Sequence, residues 1–227
     1  FVAAAVDIAE REAVGIVVLE AHAHIGVGAS PGHVDVVYVV VIAAGRVRRP
    51  GESREDLYRD NGQLLPRICA DIREFAPEAV VVNVIEPVDM TTLLAQRLLG
   101  FDRTRVLGVG GLLSSTRLRY LVSTALGVSP RDVTGMVIGP HHTDMVVLRN
   151  TVRISGIPAE KLLDAEQFDS IIGEVRKADD TILYMSQQSA AFYAPSAAIA
   201  ALVNAIVRDT KAVLPVSIRL DEGDPPD

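Results

Sequence analysis

The sequence predicts an α/β protein: a parallel sheet followed by a second unit of mixed α and β structure. Residues 34–42 and 79–84 are almost continuous apolar runs, rich in Val, as is typical of parallel strands covered on both faces. A helical pattern separates the two runs, and strands joined by crossover helices form parallel sheets. After about residue 108 the pattern becomes mixed, so we expect two domains, residues 1–108 and 109–227.

The elements of the first half follow from periodicity and from breaker residues. Helices are predicted where apolar residues recur at helical spacing, and strands where short apolar runs are bounded by Gly or Pro. Ser53 is a good N-cap residue, and Asp56 lies three residues further on. In chain order we expect a helix (1–13), a strand (16–20), a loop rich in Gly, His and Pro (22–33), a strand (34–42), a helix (53–75), a strand (79–84) and a helix (91–99).

The second half mixes shorter strands with longer helices. The same patterns predict, in order, a helix (115–126), a strand (133–138), a short antiparallel pair (145–148 with 152–154), two helices (165–178 and 190–208) and a strand-like segment (212–220). Helices and antiparallel strands in this order are typical of an α+β unit.

Composition narrows the class of protein. The 227 residues are 49% hydrophobic with a mean hydropathy of +0.28, enough for a sizeable core. A net charge of −7 disfavours nucleic acid or an anionic membrane as partner. The one cysteine, Cys69, lies in an apolar run, and we expect a core residue rather than a nucleophile. Because the sequence shows neither a disulfide framework nor an 18-residue apolar stretch, we expect a cytoplasmic protein.

Two arginine-bearing segments precede a histidine-bearing one. They are residues 48–54, residues 114–119 and residues 139–146. Arginine binds a carboxylate through two parallel hydrogen bonds, and histidine transfers protons near neutral pH. These side chains therefore suit a small anionic substrate.

The order of these segments and their local sequences resemble those of the malate/lactate dehydrogenase family. The resemblance runs from about Val36 to Leu220. The matching motifs are residues 43–45, residues 49–57 with Asn61, Gly100–Phe101, residues 105–108 and residues 132–135.

The resemblance implies a Rossmann-type parallel sheet that binds NAD, followed by an α+β catalytic domain. We expect the first strand and the glycine turn of that sheet to be missing from this sequence. The glycine-rich residues 26–32 lead into a strand rather than a helix, so we expect a loop there and not a phosphate cradle. The family also implies a small dicarboxylate or 2-oxo acid substrate and a homodimer or homotetramer.

The resemblance assigns roles to individual side chains. His141 falls on the catalytic acid/base, Arg117 on the arginine that holds the substrate carboxylate, and Arg54 on the arginine that polarises the carbonyl. Arg48 falls where the far end of the substrate is recognised. An arginine there suits a second carboxylate, which implies malate and oxaloacetate rather than lactate and pyruvate.

Two residues are assigned to the cofactor. Glu20, expected at the end of a strand, falls where an acidic residue would hold the ribose hydroxyls of NAD; the alternative is an ordinary carboxylate at a strand end. Asn61 follows the loop motif and is placed on the cofactor side. No metal site is expected, because the closely spaced His22, His24 and His33 lack a cluster of Cys or carboxylates and suit a solvated loop.

Two catalytic positions depart from the family. Ser114 stands where the family has the aspartate that orients the histidine, and Glu86 stands where it has an asparagine. We hypothesise that Glu86 pairs with His141 in place of the lost aspartate; the alternative is that both changes mark decay of the site.

The chain is then either an active dehydrogenase or a relative that is non-catalytic or takes another substrate, such as an acid with a cationic group beside Glu86. Glu52, in the same loop as Arg54, is expected to face solvent.

Overall fold

Two sheets organise the part of the chain that the computed structural model describes, which is residues 2–7, 15–23, 35–49, 51–140, 144–186 and 193–221. The first contains β1 (Val2–Asp7), β2 (Gly15–Ala23), β3 (Asp35–Ala43), β4 (Val80–Asn83) and β5 (Val106–Gly108), in that order across the sheet. The second contains β6 (Val133–Ile138), β7 (Val146–Ile154) and β8 (Ile157–Pro158). The helices are α1 (Arg54–Gly62), α2 (Leu65–Phe75), α3 (Val88–Leu99), α4 (Leu112–Leu126), α5 (Ala165–Ser186) and α6 (Tyr193–Val207).

The predicted parallel sheet is confirmed for β3, β4 and β5, which pair in parallel. Alternate residues of β3 face opposite sides, as the pleat requires. Val40 and Ile42 pack in a cluster with residues of α2 and α3, whereas Val39 and Val41 pack in a cluster with residues of α6. Burial on both faces explains why residues 39–42 of β3 are continuously apolar rather than alternating.

The beginning of the chain differs from the prediction. Residues 2–7, expected in a helix, form β1, which pairs antiparallel with β2, and β2 pairs antiparallel with β3. The connections, residues 8–14 and 24–34, are shorter than the dozen or more residues that a parallel crossover requires. Pairing of six consecutive residues with β2 overrides the helical spacing of the Ala-rich segment. His22, expected in a loop, lies in β2.

The predicted helix 53–75 is two helices. Ser53 caps α1 as expected, with its hydroxyl accepting a hydrogen bond from the Asp56 amide at 3.1 Å. The break falls at residues 63–64, immediately before Pro66, whose missing N–H is tolerated in the first turn of α2. Cys69 is buried in α2, as predicted, and burial raises the pKa of its thiol to about 12.

In the second half, α4 packs on β6, and both share a core with α5. Residues 146–154 form one strand rather than the predicted short pair, because β7 pairs along β6 with a register shift near Gly135 instead of folding back on itself. The helix predicted to end at 178 continues to Ser186.

The segment after α6 contacts β5, the edge strand of the first sheet. The predicted strand 212–220 is reduced to a single bridge between Ser217 and Gly108, with backbone hydrogen bonds of 2.8 and 3.0 Å. Gly110, with a φ of 53°, is required here, because a Cβ at this position would lie 2.6 Å from the backbone nitrogen of Ser217. The C-terminal segment is thereby fixed against the carboxyl end of β5.

A search of the described residues finds no helix with the length and apolar character needed to span a membrane.

Candidate functional site

The carboxyl ends of β3 and β4 are joined by the side chain of Asn61. Its Oδ1 accepts a hydrogen bond from the Arg46 amide at 2.9 Å. Its Nδ2 donates to the carbonyl oxygens of Arg46, at 3.0 Å, and Glu86, at 2.8 Å. Asn61 is 2% exposed, so its amide is engaged with backbone in the interior. The side chain of Asn61 thus links two loops of the site, and a contact of Asn61 with the cofactor stays a prediction.

Gly45 permits this tie. It has a φ of 89°, and a Cβ at this position would lie 2.6 Å from Asn61 Oδ1. A residue with a side chain would therefore force Asn61 away from the loop. The Ala-Gly pair that contributed to the family resemblance has a local structural reason.

A second buried asparagine supports the loop after β4. Asn83 Nδ2 donates to the hydroxyls of Thr91 and Thr92 at 2.9 and 3.0 Å, and the Ile85 amide donates to Asn83 Oδ1 at 3.3 Å. The loop then passes through a cis Glu86–Pro87 peptide bond. Glu86 is half-buried at this carboxyl end of the sheet, and its backbone is held by Asn61.

The loop after β3 is anchored by an ion-pair cluster that the sequence did not reveal. The Arg46 guanidinium donates to both carboxylate oxygens of Glu52, one at 2.7 Å, and to Asp60 of α1 at 2.6 and 2.9 Å. The Arg49 amide donates to Glu52 at 2.9 Å. Hydrogen bonds from Arg46, and then from the Arg49 amide, lower the pKa of Glu52 to about 2. The prediction that Glu52 faces solvent is therefore wrong.

Helix α4 carries Arg117, the predicted carboxylate-binding residue. Its side chain is only 12% exposed, and Nη2 lies 2.6 Å from Oδ1 of Asp179 on α5. Within the described part of the chain, neither Nη1 nor Nη2 has a hydrogen-bond partner of acceptable geometry. The Asp179 contact is therefore a close ion pair without hydrogen-bond alignment. A buried guanidinium with unsatisfied donors is costly unless a ligand completes it.

Ser114 lies one turn before Arg117 on the same face of α4 and is 1% exposed. Its neighbour Ser115 fixes the turn: the Ser115 hydroxyl donates to the Gly111 carbonyl at 2.8 Å and accepts from the Val137 amide at 2.9 Å. This contact attaches the start of α4 to the end of β6. His141 follows β6 by three residues but lies outside the described residues, so its proximity to Ser114 stays a prediction.

Arg48 and Arg117 converge on one turn of α5. Arg48 pairs with Asp180, and Arg117 pairs with Asp179. Because consecutive Cα atoms are about 3.8 Å apart, the two guanidinium groups approach the same short segment of helix. The two arginines, 69 positions apart in the sequence, are thus brought together across the two halves of the chain. Arg54, the third predicted arginine, is half-buried at the start of α1.

Glu20 does not reach this edge. It lies inside β2, where its partner in β3 is Tyr38. Tyr38 precedes the end of β3 by five residues, roughly 16 Å of strand. The predicted position at a carboxyl strand end is wrong, because β2 runs antiparallel to β3 and continues to Ala23.

Asp179 and Asp180 were not among the predicted site residues. They were expected to follow the end of a helix at residue 178, where charged residues are ordinarily solvated. The available signal was the apolar periodicity continuing through Ile182, which extends α5 past both aspartates.

The described residues fit the reactive end of an NAD molecule at the carboxyl edge of the parallel strands, where ligands bind in such sheets. There the exposed Gly45 and the half-buried Ala44 and Val84 present backbone and small apolar groups. Within residues 2–7 and 15–23 no glycine turn leads into a helix, so the diphosphate end has no assigned residues. Across the described ranges there is also no group of three or more His, Cys, Asp or Glu arranged to hold a metal.

Comparison with known proteins agrees with this arrangement. Residues 11–108 match the family model described as the NAD-binding domain of lactate/malate dehydrogenase, and residues 112–223 match the model of its α/β C-terminal domain. Malate dehydrogenase 1 of Aquifex aeolicus is 42% identical over 183 residues, which cover 81% of this chain and 54% of that protein.

Solved structures give the same result. The apo malate dehydrogenase of Picrophilus torridus superposes with a TM-score of 0.77 at 36% identity, covering 82% of this chain and 57% of that one. The lactate dehydrogenase of Cryptosporidium parvum, complexed with lactic acid and NAD, superposes with a TM-score of 0.77 at 30% identity, covering 81% and 60%. The chain spans little more than half the length of these proteins.

Proposed function

The chain belongs to the lactate/malate dehydrogenase family, and from that premise we propose that it is an NAD-dependent dehydrogenase that interconverts malate and oxaloacetate. The observation that carries the proposal is the convergence of Arg48 and Arg117 on one turn of α5. Two guanidinium groups beside one short segment of helix suit a short molecule with a carboxylate at each end. A lactate-type substrate would leave Arg48 unused.

Each arginine has a separate task in this proposal. Arg117 holds the carboxylate next to the reacting carbon through both of its Nη atoms, which are buried and have no hydrogen-bond partner among the described residues. Arg48 holds the far carboxylate. Arg54 stabilises the negative charge that develops on the carbonyl oxygen. Fixing both ends of the substrate converts the reaction into one between prealigned groups.

His141 is the proposed acid and base: protonated, it donates to the carbonyl oxygen of oxaloacetate, and neutral, it accepts the proton from malate. NAD, when bound, supplies or accepts the hydride. Ser114 offers a hydroxyl but no charge to orient the histidine. We therefore assign the charge that stabilises protonated His141 to Glu86, which the Asn61 tie holds at the carboxyl edge.

The role of Glu86 is tested by the substitution Glu86→Gln, which keeps the shape and removes the charge. We expect kcat to fall by about tenfold or more, because a carboxylate partner of a catalytic histidine stabilises its charged form. Glu78→Gln is the matched control, since Glu78 lies on the surface and pairs with Arg105 at 3.5 Å. Unchanged or higher activity in Glu86→Gln would show that this carboxylate only repels the substrate.

A second candidate, a relative that is non-catalytic or takes a different acid, is favoured by two observations. Both Arg48 and Arg117 contact carboxylates of α5, and Ser114 and Glu86 alter the proton relay. A substrate with a cationic group would suit Glu86 better than malate does. The two candidates therefore differ in whether oxaloacetate is reduced.

The deciding experiment is NADH oxidation followed at 340 nm with oxaloacetate, and then pyruvate, in excess. Turnover of oxaloacetate well above that of pyruvate is the expected result. Tight binding of NADH without turnover of either acid would favour the second candidate, and a panel of amino-substituted acids would then identify its substrate. Absence of NADH binding would overturn the dehydrogenase proposal.

A further inference from the structure

Helix α5 presents two consecutive carboxylates to the two arginines of the proposed substrate site. Asp179 faces Arg117 at 2.6 Å, and Asp180 contacts Arg48. The aspartates therefore occupy the positions on these guanidinium groups where the two carboxylates of a substrate would bind. The side chains of Asp179 and Asp180 are 29% and 52% exposed, so solvent reaches both.

The Arg117 contact is open to replacement. Oδ1 of Asp179 lies 2.6 Å from Nη2 without hydrogen-bond alignment, and in the described residues both Nη atoms of Arg117 lack an aligned acceptor. A free carboxylate can form two parallel hydrogen bonds with the same guanidinium, which is the stronger geometry. A substrate carboxylate therefore gains hydrogen bonds that Asp179 does not make.

Charge also sets a limit on the substrate. The two guanidinium groups of Arg48 and Arg117 face the two carboxylates of Asp180 and Asp179, so the charges of these four side chains balance. A dianion entering this balanced set must separate carboxylates from arginines before it binds. A monoanion that uses Arg117 alone leaves the Arg48–Asp180 pair intact.

We infer that Asp179 and Asp180 are specificity-determining residues that compete, as internal carboxylates, with the carboxylates of the substrate. Asp179 opposes every acid that uses Arg117, whereas Asp180 opposes only those with a second carboxylate for Arg48. The inference rests on the proposed function in one respect, that these two arginines bind the substrate.

The test measures dissociation constants by calorimetry with the full chain and two unreactive acids: hydroxymalonate, with two carboxylates, and oxamate, with one. We expect Asp180→Asn to tighten hydroxymalonate by about three- to tenfold and to leave oxamate unchanged, and Asp179→Asn to tighten both by a similar factor. Asp169→Asn is the matched control: Asp169 also lies on α5 and pairs with an arginine, Arg149, outside the site. It should change neither constant.

Three results would overturn the inference. They are unchanged or weaker binding of hydroxymalonate in both variants, equal tightening of both acids by Asp180→Asn, and no binding of hydroxymalonate by any variant. The proposed function is judged separately by turnover. If Asp180→Asn tightens hydroxymalonate while oxaloacetate is not reduced, the inference stands and the proposed function fails. If oxaloacetate is reduced and neither variant changes the constants, only the inference fails.

Discussion

Two arginines of this chain, Arg46 in the loop after β3 and Arg117 on α4, meet carboxylates in different ways. Arg46 donates to both oxygens of Glu52 and, with two further hydrogen bonds, to Asp60. Arg117 is more buried, with 12% of its side chain exposed against 27% for Arg46, yet its contact with Asp179 satisfies neither Nη atom.

The difference distinguishes a structural arginine from one that is available to a ligand. The Arg46 fork has aligned acceptors within the chain, so Arg46 fixes the base of the loop that carries Arg48. Among the described residues, the buried Nη atoms of Arg117 have no aligned acceptor, a state that is costly until a carboxylate binds. The nearest carboxylate, Asp179, holds the position without completing the hydrogen bonds.

The largest expected effect comes from removing Arg117. We expect Arg117→Gln to lower kcat/KM for oxaloacetate by roughly hundredfold, because a buried, charge-assisted carboxylate contact is lost in the transition state. The measurement is NADH oxidation at several oxaloacetate concentrations.

The matched control is Arg119→Gln, two residues along α4. Arg119 donates to the carbonyl oxygens of Val133 and Pro130 at 2.9 and 3.3 Å, so its task is structural. We expect a lower melting temperature but a kcat/KM within a few-fold of wild type. Equal losses of kcat/KM in the two variants would remove the distinction between structural and ligand-binding arginines on α4.

The next effect concerns the loop that carries Arg46, whose hydrogen bonds are satisfied within the chain. We expect Asn61→Ala to lower the free energy of unfolding by about 2 kcal/mol, because three hydrogen bonds are lost and buried backbone groups of Arg46 and Glu86 are left without them. Urea unfolding measures this loss. Asn204→Ala, on an exposed position of α6, should change stability by less than about 0.5 kcal/mol. A similarly small loss for Asn61→Ala would mean that water replaces the tie.

The parallel core could be predicted from sequence because its signal is local. Residues 39–42 of β3 and 81–82 of β4 are buried on both faces, and the continuous apolar runs reflect that burial. The antiparallel β1 and β2 could not be predicted, because an Ala-rich segment suits a helix unless a partner strand lies beside it. Strand direction depends on connection lengths and pairing, and these are not encoded in the periodicity of one segment.

The site divides in the same way. The family resemblance identified Arg48 and Arg117, and the structure brings both to α5. It did not identify Asp179 or Asp180, because their effect arises from contacts with residues far away in sequence. The motif identified Asn61 but not its hydrogen bonds to the backbone of Arg46 and Glu86, because a sequence motif marks a position and not the partners of its side chain.

The smallest expected effect is on the melting temperature at low pH, through the ion pair between Arg46 and Glu52. The pKa of Glu52 is lowered from 4.5 to about 2, so its ion pair contributes stability fully above about pH 4.5 and loses it progressively as the pH falls toward 2. We expect Glu52→Gln to reduce the fall in melting temperature between pH 7 and pH 3, and wild type at high salt to resemble the variant, because this partly exposed pair is screened. Glu55→Gln, at an exposed position three residues away, is the control. An identical pH profile of the melting temperature in wild type and Glu52→Gln would show that the hydrogen bonds between Arg46 and Glu52 do not hold the loop in solution. The contrast between structural and ligand-binding arginines would then depend only on Arg117 and Arg119 of α4.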